Sequence, residues 1–291
     1  MDRSFAAVAA IAGAAIASIV AQKLLQRAPP PPSSLGVAGD NTQRQWLVVV
    51  RHGDRHDYAT PAWKEKIKAM GGRPRDPPLS TLGHRQANNF GLAAAAALRA
   101  RGGSVRVRTS PYLRCIQTAM PLCDALDLPL TLEPGVAEVS HKRTNVAPYA
   151  ERFAYFPRLV EGEPDPMSDE ESWPLGYMER IAAFGKKLTR ELDARLATEG
   201  KSTLVLASHA ASVGLVAWML GDELTPELKM APAGCYVLAR DAADEPWALL
   251  RAGDANAPYN GENAATTFPW GYRPEYLAAW EAKHGARFPR P

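Results

Sequence analysis

Two short apolar runs, at 46–50 and 203–207, limit the possible folds of this chain more than any other feature. Each is rich in aliphatic and β-branched residues, which is typical of a strand buried on both faces. Between them, apolar residues spaced by three or four predict a helix from 181 to the glycine at 200. Further helices are predicted at 86–101, ended by Gly102-Gly103, and at 112–126, opened by Ser110-Pro111. Strands that alternate with helices predict a three-layer α/β/α fold, in which helices cover both faces of a mostly parallel central sheet.

The ends of these two strands are the first indication of function. In mostly parallel sheets, ligands bind beyond the carboxyl ends of the strands. His52 follows the first run and His209 follows the second, so both histidines are expected at the same edge of the sheet. Further strands are predicted at 105–109, 130–132, 236–239 and 247–250, a helix is predicted at 211–220, and Thr81 is predicted to cap the helix at 86–101.

Composition excludes several classes of protein. The chain has 291 residues with an ordinary balance of apolar and charged types, which indicates a folded globular region. A formal net charge of +3 is too weak to indicate a nucleic-acid-binding protein. Cys115, Cys123 and Cys235 are odd in number and lack metal-ligand spacing. Neither a disulfide framework nor a zinc site is therefore expected, and a reducing compartment fits better.

The N-terminal region is predicted to lie outside the catalytic domain. Residues 5–21 form an uncharged, alanine-rich stretch that would cover about 25 Å as a helix, slightly less than a ~30 Å hydrocarbon core. The segment 1–27 is consistent with a membrane anchor, a cleaved signal peptide or an organellar transit segment. Of these, the anchor is favoured, and the positive charges of Lys23 and Arg27 on its downstream side favour a catalytic domain in the cytosol. The alternative location is an organelle or the secretory pathway.

The rest of the chain divides into three parts. Residues 28–44 contain four consecutive prolines and are predicted to form a semi-rigid linker. Residues 45–252 are predicted to form the catalytic domain. The segment 253–291 is rich in aromatic residues and proline, and we expect it to pack back onto that domain.

The residues around the two histidines fit the chemistry of a phosphate ester. A phosphoryl group carries dispersed negative charge, which guanidinium groups recognise through paired hydrogen bonds. Arg51, Arg55 and Arg114 lie near strand ends or helix starts, and a helix that begins at Tyr112 would add backbone donors for the same anion. Arginines nearby would also keep His52 unprotonated, so that its imidazole can attack phosphorus.

Four motifs occur in an order that resembles the histidine phosphatase superfamily, also called phosphoglycerate-mutase-like. They are Arg51-His52-Gly53, the sequence Ser-Pro-Tyr-Leu-Arg-Cys-Ile-Gln-Thr-Ala at 110–119, Glu138, and Ser208-His209-Ala210. The resemblance extends from about residue 46 to residue 251. The first tripeptide alone is a weak signal, whereas four motifs in this order are a strong one.

The resemblance implies a role for each of these residues. His52 would be the nucleophile, Arg51 and Arg114 the clamps of the phosphate group, His209 the second histidine that hydrogen-bonds the transferring group, and Glu138 the proton donor. The further residues expected to bind substrate are Gly53, Arg55, Ser110 and His141. No metal ion and no cofactor are expected.

The residues after the nucleophile favour a phosphatase over a mutase. Phosphoglycerate mutases typically continue the tripeptide with Glu-Ser and later carry a Gly-Trp-x-Asp element, whereas this chain has Asp54-Arg55 and lacks that element. Arg55, with the sequences at 76–80 and 83–87, is similar to the phosphatase domain of the Sts (suppressor of T-cell receptor signalling) proteins. That branch includes protein-tyrosine and ecdysteroid-phosphate phosphatases. The expected partner is therefore a phosphorylated small molecule or a phosphopeptide substrate.

Several alternatives stay open at this point. The protein could be a mutase, or a membrane-tethered adaptor that binds phosphorylated ligands without turnover. Asp54 and Glu133 rival Glu138 as proton donor, and the sequence at 141–143 is either a solvated turn or a basic patch that steers an anionic substrate. The aromatic residues between 149 and 177 form either a small satellite core or a wall in an insertion that caps the site. Cys115 is expected to be a packed small residue rather than a second nucleophile.

Overall fold

The structure is a computed structural model that describes residues 44–162, 171–251 and 270–289. The predicted anchor at 5–21 and nearly all of the predicted linker at 28–44 lie outside these residues. Within the described part of the chain, no helix is long and apolar enough to cross a membrane.

The strands of the described residues form one sheet. They are β1 (Gln45–Arg51), β2 (Ser104–Thr109), β3 (Leu130–Leu132), β4 (Leu159–Val160), β5 (Ser202–Ser208), β6 (Cys235–Arg240) and β7 (Ala248–Arg251). Their order in the sheet is β4-β3-β2-β5-β1-β6-β7. The first five strands in this order pair in parallel, and β6 and β7 are antiparallel additions at one edge. Arg51 of β1 is aligned with Ser208 of β5, so the two histidines that follow leave the sheet side by side.

Helices connect these strands. They are α1 (His56–Ala59), α2 (Trp63–Ala69), α3 (Thr81–Arg101), α4 (Leu113–Leu126), α5 (Tyr149–Tyr155), α6 (Leu175–Glu199), α7 (Val213–Leu220) and α8 (Pro274–His284). Short 3-10 turns lie at Pro134–Val136, Arg143–Asn145 and Ala210–Ser212. The last of these turns precedes α7, so the helix predicted at 211–220 opens as a 3-10 turn.

Both faces of the sheet are buried, which produces three layers. In β1, Leu47 and Val49 belong to the core cluster that contains apolar residues of α6 and α7. Val48 and Val50 belong to a second cluster, which contains apolar residues of α3 and α4. Successive side chains of a strand point to opposite faces, so this alternation places one helical layer on each side of the sheet. The predicted three-layer fold with a mostly parallel sheet is confirmed.

The start of α3 corrects a predicted boundary. The helix predicted at 86–101 begins at Thr81, because Ser80 and not Thr81 is its cap. The side chain of Ser80 accepts a hydrogen bond from the backbone N–H of Gly83 at 3.0 Å. At the end of α6 the prediction was accurate: Gly200 follows the helix with a positive φ of 66°.

Of the predicted C-terminal segment at 253–291, the described part, 270–289, packs against the long helix α6, and the residues at 253–269 lie outside the described residues. Tyr272 and Trp280 are buried in the same core cluster as Ile181 and Leu188 of that helix. The hydroxyl of Tyr272 also donates a hydrogen bond to the carbonyl oxygen of Ala211 at 3.2 Å. The aromatic residues near the C-terminus therefore support the side of the sheet from which His209 emerges.

Candidate active site

Several segments meet where β1 and β5 end. His52 and His209 follow these two strands, Arg114 lies in the first turn of α4, and Glu138 follows the 3-10 turn at Pro134–Val136. The rings of the two histidines pack edge-on, with centroids 5.4 Å apart. One guanidinium nitrogen of Arg114 lies within 3.3 Å of both Glu138 and His209. The structure thus brings these residues together at the carboxyl edge of the parallel strands, where the fold predicts a ligand.

The contacts of His52 identify the ring nitrogen that carries the proton. Its Nδ1 lies 2.7 Å from the carbonyl oxygen of Gly53. A carbonyl oxygen only accepts hydrogen bonds, so Nδ1 is the donor and the lone pair of the neutral ring lies on Nε2. The backbone N–H of His52 donates to Ser208 O at 2.8 Å, which ties the loop after β1 to the end of β5. His52 therefore offers one defined nitrogen in a fixed orientation.

The backbone beside His52 approaches α3 closely, and Gly53 permits this approach. A Cβ atom at position 53 would lie 2.7 Å from the carbonyl oxygen of Gly83, closer than real side chains come. The N–H of Gly53 donates to Oγ1 of Thr118 at 3.0 Å. Gly53 thus positions the loop that holds His52, and its N–H is used within the protein.

His52 lies among positive charges, and its side chain is buried. Burial lowers the pKa of its imidazole well below the ordinary histidine value, and the guanidinium groups of Arg114 and Arg51 lower it further. The imidazole is therefore neutral at physiological pH, which is the state that a nucleophile needs.

The arginines predicted to clamp phosphate are both buried. Arg51 donates a hydrogen bond to Met230 O at 2.7 Å, and burial lowers its pKa to about 10, so it stays charged at neutral pH. Arg114 donates to Oε2 of Glu138 at 2.9 Å. Its guanidinium carbon also lies 4.6 Å from the centroid of the Tyr112 ring. A neutral, rigid surface behind this guanidinium limits how it can turn.

Arg55 is held in place by a carboxylate. Its Nε and Nη2 donate to the two oxygens of Asp57 at 2.9 and 2.7 Å. Lys64 lies 3.1 Å from the same carboxylate, whose side chain is fully buried. The charge of Arg55 contributes to the low pKa of His52. Arg55 therefore adds positive charge to the site from a position that Asp57 fixes.

Glu138 is the carboxylate that lies against the second histidine. Its Oε2 accepts the hydrogen bond of Arg114 and lies 3.2 Å from Nδ1 of His209. The rival carboxylates are used elsewhere: Asp54 accepts a hydrogen bond from the serine that caps α3, and Glu133 caps the 3-10 turn before Glu138. Of the three carboxylates, Glu138 is the one placed to exchange a proton in this site.

The pKa values of Glu138 and His209 determine which of these two side chains is protonated at neutral pH. Burial alone would raise the pKa of Glu138, but the facing His209 and Arg114 outweigh it and hold this pKa well below the usual glutamate range. Burial lowers the pKa of His209 to about 4, against the opposing effect of Glu138. At neutral pH Glu138 is therefore a carboxylate. It can donate a proton only if a bound substrate raises its pKa.

His209 is fully buried, and both of its ring nitrogens have neighbours. Nε2 lies 2.7 Å from Oγ of Ser110, and Nδ1 faces Glu138. Ser110, a predicted substrate-binding residue, is thus a partner of His209. Sγ of Cys115 lies 3.5 Å from the same Nε2, and burial raises the pKa of its thiol. A thiol that stays protonated is a poor nucleophile, as expected of a packed small residue.

The ring of Tyr112 lies between His141 and His209. His141 is buried, and its ring packs edge-on against Tyr112 with centroids 5.5 Å apart. Tyr112 in turn packs edge-on against His209 at 5.1 Å. The structure therefore favours a supporting position for His141 over the direct substrate contact predicted from the sequence. In the sequence at 141–143, the solvated side chains are those of Lys142 and Arg143.

The N-terminus of α4 differs from the prediction. The backbone N–H of Leu113, at the first position of the helix, donates to a carboxylate oxygen of Asp76 at 2.7 Å. The side chain of Asp76 is buried and also pairs with Arg152. The donor expected to bind a phosphate at this helix start is therefore satisfied by the protein itself.

The aromatic residues of the predicted insertion divide between two places. Part of the insertion, 163–170, lies outside the described residues, so a cap over the site stays a prediction. Tyr149, Phe153 and Phe156 pack against the core cluster of α3 and α4. Trp173 and Tyr177 join the core cluster of α6, so these aromatic residues extend the two main clusters and do not form a separate satellite core. Tyr155 is 81% exposed.

One trio of side chains could hold a metal ion. His52, Glu138 and His209 each offer a ligand atom, and these atoms lie within 4.8 Å of one another. Two imidazoles and one carboxylate suit zinc in their chemistry. The neighbouring Arg51 and Arg114 would repel a cation at this position and attract an anion. Their charges therefore favour a phosphate group over a metal ion.

Sequence patterns did not identify Arg180 as a residue near the site. It lies on α6, far along the chain from the motifs, and it donates hydrogen bonds to the backbone carbonyl oxygens of Ala137 and Glu138. One arginine among the many charged residues of an amphipathic helix carries no signal of such a role. The contact becomes visible only when the 3-10 turn before Glu138 is placed against the helix.

Comparison with protein families agrees with the geometry of the site. The family model described as "Histidine phosphatase superfamily (branch 1)" matches residues 47–254. The chain is 29% identical over 126 residues to the ecdysteroid-phosphate phosphatase of Bombyx mori, an alignment that covers 34% of this chain and 18% of that protein. It is 31% identical over 133 residues to the ubiquitin-associated and SH3 domain-containing protein A of Mus musculus, covering 36% and 21%. The alignments thus span only about a fifth of each relative's length.

A solved structure has the same fold. The crystal structure of the Bombyx mori ecdysone phosphate phosphatase in complex with tungstate superimposes with a TM-score of 0.53 at 18% identity. The match covers 72% of this chain and 93% of that chain. At this identity the likeness shows the shared fold alone.

Proposed function

Since the chain belongs to the histidine phosphatase superfamily, we propose that it hydrolyses phosphate monoesters and carries the phosphoryl group on His52 between two steps. One observation carries the proposal. The imidazole of His52 is neutral, its Nδ1 is tied to the carbonyl oxygen of Gly53, and its Nε2 lone pair lies in a site made positive by Arg51, Arg55 and Arg114. A nucleophile surrounded by guanidinium groups suits a phosphorylated substrate.

Substrate binding changes the partners of Glu138. Oε2 of Glu138 is bound to Arg114 and lies against His209. These are the two groups that hold its pKa low. In the proposal, phosphate oxygens replace Glu138 as the partner of Arg114 and His209. The pKa of Glu138 then rises, because it loses its cationic neighbour and gains a negative charge nearby.

The first chemical step forms a phosphohistidine. Nε2 of His52 attacks phosphorus, so that a P–N bond forms as the P–O bond to the leaving group breaks. Glu138, which has taken up the proton of the substrate monoanion, donates it to the departing oxygen, and the alcohol leaves. Arg51 and Arg114 neutralise the charge on the phosphoryl oxygens throughout.

The second step uses the same residues in reverse. Glu138, now a carboxylate, takes a proton from a water molecule as that water attacks phosphorus. The P–N bond breaks, the electron pair returns to Nε2 of His52, and inorganic phosphate is released. The guanidinium groups supply the positive charge that a metal ion would otherwise supply, so we propose that the reaction needs no metal.

A hydrolysis assay tests this proposal. The full chain should release phosphate from p-nitrophenyl phosphate in the presence of EDTA, and His52→Ala should abolish the activity. His84→Ala, at an exposed histidine of α3, is the matched control and should stay active. A wild-type protein no faster than His52→Ala would refute the proposal and favour the adaptor. Isomerisation of phosphoglycerate without release of phosphate would indicate a mutase.

Membrane association through residues 5–21 is a separate proposal. It rests on the apolar composition of that segment alone. Fusion of residues 1–30 to a fluorescent reporter tests it. Reporter that resists extraction by salt and alkali would support an anchor, and a shortened soluble reporter would indicate a cleaved segment instead.

A further inference from the structure

The backbone that carries Glu138 is held by a single buried arginine. Nη1 of Arg180 donates hydrogen bonds to the carbonyl oxygens of Gly135 at 2.9 Å and of Ala137 at 3.1 Å. Nη2 donates to the carbonyl oxygen of Glu138 itself at 3.0 Å. The side chain of Arg180 is 8% exposed, so these charge-assisted bonds form away from bulk water. One side chain thus satisfies several successive carbonyl groups of the turn.

A second buried residue orients this arginine. Glu171 accepts hydrogen bonds from Nε of Arg180 at 2.6 Å and from Nη2 at 3.1 Å. Its side chain is 3% exposed. The same carboxylate accepts the backbone N–H of His141 at 3.4 Å. The pair therefore contacts the chain on both sides of Glu138, from the 3-10 turn before it to His141 after it.

The turn also fits closely against α6. A Cβ atom at Gly135 would lie 2.4 Å from the ring of Phe184, so the absence of a side chain lets the turn approach the helix. Arg180 and Phe184 are four residues apart and lie on the same side of α6. The helix therefore contacts the turn through an apolar ring and a set of hydrogen bonds.

The position of Glu138 matters most when its carboxylate has lost its side-chain partners and keeps only the hydrogen bond of 3.0 Å that its Oε1 accepts from the backbone N–H of Val139. Its carboxylate is bound to Arg114 and lies against His209. In the proposed reaction, the phosphate takes both of these neighbours. After that exchange, the location of the carboxylate depends on its backbone, which Arg180 holds. Misplacement of a catalytic group by about 1 Å can cost on the order of 100-fold in rate.

We infer that Arg180, oriented by Glu171, is the positioning residue that holds Glu138 at the leaving-group oxygen. The inference rests on the proposed function, in which Glu138 is the proton donor. Arg180 makes no contact with the phosphate in this account. It acts on proton transfer to the leaving group and leaves the attack by His52 intact.

The consequence is a selective effect on substrates. An alkyl phosphate needs a proton on its departing oxygen, whereas p-nitrophenoxide departs without one. Arg180→Met keeps the apolar length of the side chain and removes the hydrogen bonds. It should lower kcat for an alkyl phosphate by about 100-fold and kcat for p-nitrophenyl phosphate by less than about fivefold. KM for either substrate should change little, because the phosphate clamps remain.

Two further variants separate positioning from general structural support. Arg240→Met removes another buried arginine that pairs with α6, through Asp193, at the opposite edge of the sheet. It should change the rates on both substrates by the same small factor. Glu171→Gln keeps the volume of the side chain and removes its charge. It should reproduce the selective effect of Arg180→Met at smaller size.

A double variant gives the decisive result. If Arg180 acts through Glu138, Arg180→Met should cost little more once Glu138→Gln is present, so the two losses should not multiply. Equal losses on both substrates in Arg180→Met, or losses that multiply in the double variant, would overturn the inference while wild-type hydrolysis still supports the proposed function. Absence of wild-type hydrolysis would overturn both.

Discussion

Arginines lie at both ends of the parallel strands, but their surroundings differ. At the amino end, Arg240 donates to Asp193 at 2.6 Å, and Arg106 makes two hydrogen bonds of 2.6 Å to Glu199. At the carboxyl end, Arg51 and Arg114 flank two histidines. Burial lowers the pKa values of both histidines, and nearby arginines lower them further, whereas Glu138 opposes this effect at His209.

The difference teaches how the same residue type serves two purposes. At the amino end each arginine stays in its ion pair with a carboxylate and contributes to stability. At the carboxyl end Arg114 is also paired, with Glu138, but in the proposed reaction a phosphate group replaces Glu138 as its partner. At the carboxyl end, burial and the neighbouring guanidinium groups together keep the two imidazoles neutral. A phosphate group would meet the positive charge of these guanidinium groups, whereas a metal cation would be repelled by it. The charge pattern thus separates the structural end of the sheet from the reactive end.

The largest difference in activity is expected between two variants that each remove one arginine, one at each end of the strands. Arg114→Met should lower kcat/KM for p-nitrophenyl phosphate by about 100- to 1,000-fold, because a clamp on the phosphoryl oxygens is lost. Arg240→Met should change kcat/KM less than about threefold and lower the free energy of unfolding by about 2 kcal/mol, since its partners lose a buried donor. Steady-state kinetics and urea denaturation measure both. Equal losses of activity would remove the distinction between the two ends.

Variants of two glutamates test which carboxylate at the carboxyl end of the strands is the proton donor. Glu138→Gln should lower kcat for an alkyl phosphate by about 100-fold and affect p-nitrophenyl phosphate far less, because nitrophenoxide hardly needs a proton. Glu133→Gln is the control, since Glu133 caps the neighbouring turn and lies against Arg108. If Glu133→Gln shows the selective loss and Glu138→Gln does not, the proton donor has been assigned wrongly.

The pH profile gives a smaller, graded effect. Glu138 is a carboxylate at neutral pH, so the proton for the leaving group arrives with the substrate monoanion, whose second pKa is about 6. For an alkyl phosphate, kcat/KM should therefore fall by about tenfold per unit well above pH 6. It should level off below about pH 6, because the low pKa of His52 keeps this nucleophile neutral there. A kcat/KM that rises toward pH 8 would contradict the assignment of this proton to the substrate monoanion.

The smallest effect is expected at the amino end. Hydrogen bonds from Arg106 lower the pKa of Glu199 to about 2, from 4.5 in an unperturbed glutamate. Its contribution to stability is therefore complete above pH 4.5 and is lost as the pH falls toward 2. Glu199→Gln should lower the free energy of unfolding at pH 7 by less than about 1 kcal/mol. The difference in thermal stability between Glu199→Gln and wild type should be smaller at pH 2.5 than at pH 7. A difference that is the same at both pH values would exclude the ion pair as its cause.

The sequence was sufficient to predict the strands of the described sheet, except the two-residue β4, and the meeting of the two histidines. Hydrophobic runs identify β1 and β5, and parallel strands place the residues after them at one edge. The partners of these residues were harder to predict. Asp76 at the start of α4 and Arg180 beneath Glu138 act through contacts between segments distant in sequence. Such pairing depends on how helices pack, which local patterns do not encode.

Trapping the phosphorylated enzyme tests the central claim most directly. A substrate turned over briefly and quenched in base should leave phosphohistidine, which survives base and is lost in acid. Digestion and mass spectrometry, with NMR to assign the nitrogen, should find the phosphoryl group on Nε2 of His52, because Nδ1 is tied to Gly53 O. It should be absent from His52→Ala. A phosphoryl group on Nδ1, on another residue, or persisting in His52→Ala would contradict the account.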